Sequence, residues 1–566
     1  MFLGADTFSI MQSSPFSNWP NSAIIVTVVL GLLVLLVGGW AVVEANRISD
    51  LREQIEAARS DLDEAESRIA DLEDEIAEAD SGGSLFGDLL GGEGGALGDL
   101  LGGLLGGDSE GLGGLEDLLG ALLGGSDLGE LGDLGDLGEL GDLGDLGGLL
   151  GGLGASGDLG SCLTGTPGSY EIGDMSLEAQ VADIASAVED LRGLTFPSDI
   201  DPVFVDQEEM GRRVRDLVEE GYPADIEDFD TRFLVALGML PAGYDLMSAQ
   251  MDLLDSGVAG YYDPDSGELV VATPDSDQPL AAIDQITLAH EMIHALTDAR
   301  LGIPDTLEDP RADPEIIRAQ QALIEGDATL GMQQYTLGAL GFEEQMAMLM
   351  DPRVLGAQQE AGEFPYVLSN GLQLPYVEGM NFTCALYADG GWEAVDAAYA
   401  DPPTNTSQIL FPERYVQDRI EAVDPGSVGS PGSNWESLRE VGFGAVDLLM
   451  LFSAPGDDPG SALSEPRERA RAWGGGQAEV WSRGSDTAVG ISLADTGDGL
   501  ESLCDSMVSW EVAAFPDYDV VDQNGQEAFA HSGDGRAAVV VCDGPNVRIG
   551  IGPDLETARS VAGSRS

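Results

Sequence analysis

Apolar and polar positions follow several distinct rules along the chain. Ala23 to Val43 is an unbroken run of apolar and small residues, with Trp40 near its end, long enough to cross a bilayer as a helix. No basic residue precedes the run and no A-x-A site follows it cleanly, which points to a retained single-pass anchor over a cleaved signal peptide. Ile48, Leu51, Ile55, Ala58, Leu62, Ala65, Ile69, Leu72, Ile76 and Ala79 then alternate by threes and fours, the a/d seam of a coiled coil. Alanine at several d positions thins the seam, so self-association and a single long helix are both open. Residues 81–160 are mostly Gly, Leu, Asp and Glu, and become D-L-G and E-L-G triplets from Asp127 to Gly147. The triplets lack the proline of collagen and the G-G-x-G-x-D order of calcium-binding repeats. Their glycine content and acid repulsion predict a flexible spacer.

Globular patterning begins near Gly165. Val181, Ile184, Ala185, Val188 and Leu191 share one face of a helix predicted over Leu177–Leu194. Val203–Val205 reads as a short strand, and Met210–Glu220 and Arg232–Leu240 as helices. Val258–Ala272 reads as two strands joined by a D-P-D-S-G turn. Two long helices are predicted next, from about Ile283 to Arg300 and, after an Asp-Pro start signal, from about Pro314 to Tyr335. In the last part, Asn434–Phe452 and Pro466–Trp473 read as helices and Ala488–Ala494 and Ala537–Val541 as strands. Trp473-Gly474-Gly475-Gly476 reads as a turn, because the residues of a phosphate loop do not follow it, and His531 reads as a surface histidine.

Composition narrows the functional classes. The chain has 566 residues and a net charge of -78, and all 24 basic residues are arginine. Such a surface repels phosphate backbones, so nucleic-acid binding is excluded. A dense carboxylate surface without lysine suits high salt, where screening relieves self-repulsion; a high-GC genome that favours arginine codons is the alternative. The four cysteines, Cys162, Cys384, Cys504 and Cys542, lack CxxC spacing. Two disulfides or four buried thiols fit that count, and Cys504–Cys542 is the expected pair if bridges form. Arg47, Arg52 and Arg59 follow the apolar run, which by the positive-inside rule would put the C-terminal part in the cytoplasm. Those arginines lie among many acids and the even cysteine count argues the other way, so an extracytoplasmic catalytic part is expected.

The chemistry concentrates in His290-Glu291-Met292-Ile293-His294, which holds two of the 3 histidines in the chain. Positions i and i+4 share a helix face, so both imidazoles can address one metal ion. Glu291 can take a proton from a water activated there. A catalytic zinc site needs a third protein ligand, and the remaining histidine, His531, lies far downstream. A carboxylate is therefore expected from the next long helix. Glu325 follows the apolar Ala322-Leu323-Ile324, and a buried acid needs a partner. Asp327 is the alternative ligand. Asp298, one turn past His294, reads either as a partner orienting an imidazole or as a solvated acid.

Six segments carry a resemblance to a known group: V-A-G-Y-Y-D-P, L-A-H-E-M-I-H-A-L-T-D, A-L-I-E-G-D-A, L-P-Y-V-E-G-M, G-G-W-E-A-V-D-A-A-Y and P-P-T-N-T-S-Q-I-L-F-P-E-R-Y, spanning roughly Leu177 to Tyr415. The chain resembles the gluzincins, HExxH metallopeptidases whose third ligand is a glutamate on a following helix. The nearest likeness is to the small bacterial minigluzincin-type peptidases. The resemblance implies that His290, His294 and Glu325 bind Zn2+ and that Glu291 is the general base. It implies that the strand around Val258–Tyr262 lines the cleft and pairs with the substrate backbone. Tyr376 resembles the tyrosine that hydrogen-bonds the oxyanion, the alternative being a core tyrosine. The gap from His294 to Glu325 is longer than in aminopeptidase N-like enzymes and no G-A-M-E-N segment is present, which leaves endo- and exopeptidase action open.

The expected fold class is α+β: a zincin-like catalytic domain, with a mixed sheet and active-site helices, and a small α+β C-terminal domain. The expected organisation is an N-terminal tail at 1–22, a transmembrane helix at 23–43, a coiled coil at 44–80, the spacer at 81–164, the metallopeptidase domain at 165–425 and the C-terminal domain at 426–566. The expected function is a membrane-anchored zinc peptidase acting on peptide or protein substrates, with a homo-oligomer possible through the coiled coil. The alternative is an inactive membrane-tethered binding or scaffold protein that keeps the fold. If the acidic surface is an adaptation to salt, the melting temperature will climb with NaCl; a flat or falling curve rejects it.

Overall fold

The computed structural model describes residues 176–566 apart from 274–277, 310, 355–363 and 564–566, together with Cys162 and Val26–Thr27. The expected coiled coil and spacer lie outside the described residues, Cys162 excepted. So does the expected membrane span, apart from β1 (Val26–Thr27), a strand within a β-branched stretch. Among the described residues no helix is long and apolar enough to cross a membrane.

The first part of the fold sets a small sheet against helices. α1 (Leu177–Arg192) starts at Ser176, whose hydroxyl accepts from the Ala179 amide, and stops at Gly193 in the left-handed region. β2 (Val203–Val205) leads to α2 (Gln207–Gly221), α3 (Ala224–Ala236) and α4 (Leu246–Gly257). β3 (Gly260–Asp263) and β4 (Glu268–Ala272) form the expected hairpin. Asp263 fastens its turn by accepting from the Asp265 amide and the Ser266 hydroxyl. The sheet order is β1-β3-β4-β2, with β2 parallel to β4 and the other pairs antiparallel.

Long helices cover this sheet. α5 (Ala282–Leu301) is buried continuously from Ile283 to Thr297, so it runs through the interior with no solvent-exposed face in that stretch. α6 (Pro314–Ala339) begins with Asp313 as N-cap and Pro314 in the first turn, the start signal read from sequence. α7 (Tyr366–Gly390) carries Pro375 inside it and is followed by α8 (Trp392–Ala400) and α9 (Thr406–Leu410). One apolar core joins α1, β3, β4, α5 and α6.

The C-terminal part is a seven-stranded antiparallel sheet of order β5-β6-β7-β11-β10-β9-β8: β5 (Glu436–Gly442), β6 (Trp473–Arg483), β7 (Asp486–Asp495), β8 (Asp519–Val520), β9 (Glu527–Gly533), β10 (Arg536–Asp543) and β11 (Asn546–Gly552). Helices α10 (Ala445–Ser453), α11 (Leu503–Ala514) and α12 (Leu555–Val561) pack on it. Its core is shared with the first part: Phe229, Leu237, Met239, Leu374 and Phe411 belong to the same cluster as Phe452, Trp473 and Trp510. The α+β class is as expected.

Three local expectations are corrected here. The helix expected over Asn434–Phe452 is β5, which pairs with β6, followed by α10; between them the chain passes Glu315, where a Cβ on Gly444 would fall 1.8 Å from its Oε2. Trp473 to Gly476 opens β6 and is not a turn. Its glycines admit crossing backbone, since Cβ atoms at Gly475 and Gly476 would lie 1.9 Å from the Val423 carbonyl oxygen and 2.1 Å from that of Phe443. His531 is buried, not on the surface; it packs among Phe515, Tyr518 and Phe529, and Arg536 donates to its Nε2 at 2.9 Å. Burial, with Arg536 beside it, lowers its pKa to about 4.

Both disulfides form, Cys504–Cys542 as expected and Cys162–Cys384 across 222 residues.

A buried carboxylate joins the two parts. Glu315 in the first turn of α6 accepts from the Thr406 amide at 2.6 Å and its hydroxyl at 2.8 Å, and that hydroxyl accepts from the Val446 amide of α10 at 3.1 Å. Burial pushes Glu315 up from 4.5 to about 7. A raised acid pKa means that the folded state holds the extra proton, so this contribution is full below pH 4.5 and is lost as pH rises through about 7. Glu315→Gln cannot titrate. Its melting temperature relative to wild type should therefore rise across that window and level off above it, as read by calorimetry over a pH series.

Candidate metal centre

α5 and α6 bring three ligand atoms together. His290 and His294 lie one turn apart, with Nε2 atoms 3.0 Å from each other. Glu325 Oε2 lies 3.3 Å from each of them. Ligand atoms bound at about 2.0–2.1 Å with tetrahedral angles stand about 3.3 Å apart, so this triangle matches three corners around one small ion. All three side chains are buried, and the group can hold a metal ion. Burial lowers the His290 pKa to about 4, against the opposing pull of Glu325, so its imidazole is neutral at neutral pH, the form that binds metals. Burial alone would raise Glu325, but the facing imidazoles outweigh it and hold the carboxyl below its ordinary value.

Glu291 is buried on the same helix, against β3. The close approach is at Gly260, where a Cβ would stand 3.0 Å from Glu291 Oε1 and 2.8 Å from Thr287 Cγ2. The strand expected beside the cleft is therefore in contact with the expected base, and its far edge carries β1 in the register Val26 to Tyr261. Tyr376 is also buried, its ring centre 6.2 Å from that of His290. All five residues singled out from sequence, His290, Glu291, His294, Glu325 and Tyr376, are thus buried where α5, α6 and α7 meet.

Asp327 is not a ligand. Two residues along a helix turn the side chain by about 200°, so Asp327 faces away from Glu325. It is paired with Arg192 at 3.1 Å and accepts from Tyr399 Oη at 2.7 Å. Arg192 in turn meets Asp396 at 2.7 Å and stacks over Trp392, its guanidinium carbon 4.0 Å from the ring centre. Asp298 accepts from Tyr262 Oη at 2.8 Å, which ties α5 to β3. Neither imidazole Nδ1 has a hydrogen-bond partner among the described residues, so Asp298 does not orient one.

Two glycines missed by sequence reasoning fix the geometry. A Cβ on Gly326 would lie 2.2 Å from the Gly379 carbonyl oxygen, and one on Gly379 would lie 2.1 Å from the Ala322 carbonyl oxygen. α6 and α7 therefore cross backbone to backbone, directly beside Glu325 and three residues from Tyr376. Glycine inside a helix costs about 1 kcal/mol relative to alanine, so glycines within two long helices are the signal that a close crossing needs them. Arg467 adds a clamp by hydrogen-bonding Glu378 of α7 and the Leu410 carbonyl.

No protein-family model matches the chain, and comparisons with curated proteins and with solved structures find no match.

A metal that binds only the folded site must stabilise it by mass action, by about 2.7 kcal/mol at a hundredfold excess over Kd. Metal-stripped protein should melt at higher temperature when divalent ions are restored. Glu325→Ala should abolish that shift, as measured by scanning calorimetry.

Proposed function

We propose that this chain is a membrane-anchored zinc-dependent peptidase of gluzincin type. The observation that carries the reading is the convergence of His290, His294 and Glu325 with Glu291 adjoining on the same helix. Two imidazole nitrogens and one carboxylate oxygen, with a corner left open, are a donor set suited to catalytic zinc. When bound, zinc would acidify a water and polarise the scissile carbonyl.

The chain supplies the rest of the chemistry. Glu291 accepts the proton from the attacking water and delivers it to the leaving amine. Its burial beside Gly260 keeps bulk water away from that transfer. Tyr376 donates a hydrogen bond to the developing oxyanion. The edge of β3 offers its backbone to an extended substrate.

The anchor in this proposal is the apolar run at 23–43, with 44–164 as stalk and spacer. Val26 and Thr27 pair with β3 in the structure, so insertion of that run into a membrane requires the pair to open, and opening it would free the strand edge for substrate. Disulfides persist in oxidising compartments, so Cys162–Cys384 and Cys504–Cys542 support an extracytoplasmic catalytic part.

Peptide-library cleavage by the zinc-loaded protein beside Glu291→Gln tests the reading. The variant should retain metal while turnover falls by about 10²–10⁴-fold. Full activity in Glu291→Gln removes Glu291 as base. Bound zinc without cleavage in either protein favours a binding module.

A further inference from the structure

A cavity of about 500 Å³ lies among α2, α3, α4, α6, α7 and α10, inside the range of about 300–1,000 Å³ typical of ligand pockets. None of His290, Glu291, His294 and Glu325 lines it, so it is a space apart from the ligand atoms, and of the metal-centre residues only Tyr376 reaches its wall. Most of that wall is apolar, with Leu234 of α3 and Leu372 of α7 among its residues. Gly371 also lines it, is exposed, and would carry a Cβ into open space, which places a mouth on that side.

The polar part of the wall is not electrically balanced. Among the described residues lining the cavity, Arg318 of α6 is the only cation, against Asp230 of α3 and Asp447 of α10. Arg318 and Asp447 pair at 2.8 Å, yet 33% and 19% of their side chains stay accessible, a surface they present to the cavity. Asp230 is held by a phenol and not by an arginine: it accepts from Tyr222 Oη, also in the wall, at 2.5 Å. Burial alone would lower the Arg318 pKa, but Asp447, Glu315, Asp313 and Asp230 around it outweigh that and raise it. Besides Arg318, Arg439 is the cation that acts on Asp230. Four carboxyls thus stand against two guanidiniums. Burial pushes Asp230, Asp447 and Glu315 above their ordinary values, the response of acids with too little positive charge beside them.

We propose that this cavity binds a small primary amine with an apolar body, its ammonium group against Asp230 and its body along the leucine-lined wall. An ammonium group supplies the charge that the polar end lacks, whereas a carboxylate there would meet four others. The apolar wall takes the body out of water. The binding needs no metal and is independent of the peptidase reading.

Calorimetry with the full-length chain tests this with butylamine, pentylamine and hexylamine, beside the alcohol and the carboxylate of the same chain length. Each methylene of the amine should raise affinity about fourfold, the equivalent of about 0.8 kcal/mol. Hexylamine should bind about tenfold tighter than hexanol or more, the worth of a hydrogen bond between charged groups, and the carboxylate should bind weakest. Asp230→Asn should bring hexylamine down to the level of hexanol and leave hexanol unchanged, which also reports that the variant folds. Leu234→Trp and Leu372→Trp, which add bulk from two sides of the wall, should flatten the chain-length series, with melting temperature as the check on their folding. Should Asp230→Asn not fold, the ranking of amine, alcohol and carboxylate on the unaltered protein decides. Equal affinity for amine and alcohol, tighter binding of the carboxylate, or a preference for the amine that survives Asp230→Asn overturns the site. A length series untouched by both tryptophans, or no binding of any hexyl compound, does the same.

Discussion

The contact between Gly326 and Gly379 sets how near α6 and α7 can approach, and the candidate site depends on that distance. Glu325 comes from one helix and Tyr376 from the other. With side chains at the crossing, helix axes stand about 8–10 Å apart, and backbone-to-backbone contact brings them closer. The cavities and clefts beside such a crossing are defined by what flanks it, here Pro375 and Gly371 on α7 and Arg318 on α6. The glycines carry a helix-propensity penalty, and the burial of two long helices against a common core offsets it.

Around that crossing several ionisable groups are buried or half-buried in partnered sets. Arg192 faces Asp327 and Asp396; Arg318 faces Asp447; Arg467 meets Glu378; Glu315 is held by Thr406. Arginine suits these places because its planar donors satisfy carboxylates in fixed geometry. Although acids outnumber bases fourfold in the whole chain, with 102 against 24, these arginines each face a local carboxylate. The three donors at the metal centre differ from the rest, because they point at one another with no arginine among them.

Much of this was legible in the sequence. The i, i+4 histidines on an apolar helix could meet only one way, and Glu325 was marked by the apolar stretch before it. The helix spans at 177–194 and 283–300 and the β3–β4 hairpin followed from period and turn chemistry. What was not legible depended on contacts between distant segments. The β5 strand reads locally as helix because its charged residues tolerate either state, and its pairing with the distant β6 decides it. Trp473 to Gly476 looks like a turn until crossing backbone from Val423 and Phe443 is placed against it. His531 has only Phe529 of its aromatic cage among its own neighbours, and Phe515 and Tyr518 come from outside its strand. Glu325 ranks ahead of Asp327 by its apolar stretch, and their angular separation on α6 agrees, with Glu325 at the metal centre and Asp327 on Arg192.

The Cys162–Cys384 bond has a mechanical meaning. Covalent linkage to α7 makes Cys162 the place where tension arriving along the preceding chain is handed to the fold. Such a load bypasses the intervening 163–383, which contains both histidines and Glu325, and runs through the disulfide into the last third of α7. A fold fastened this way takes such a load on α7, five residues past the Gly379 crossing, so the helix that packs beside Glu325 and not α1 is the first to bear it.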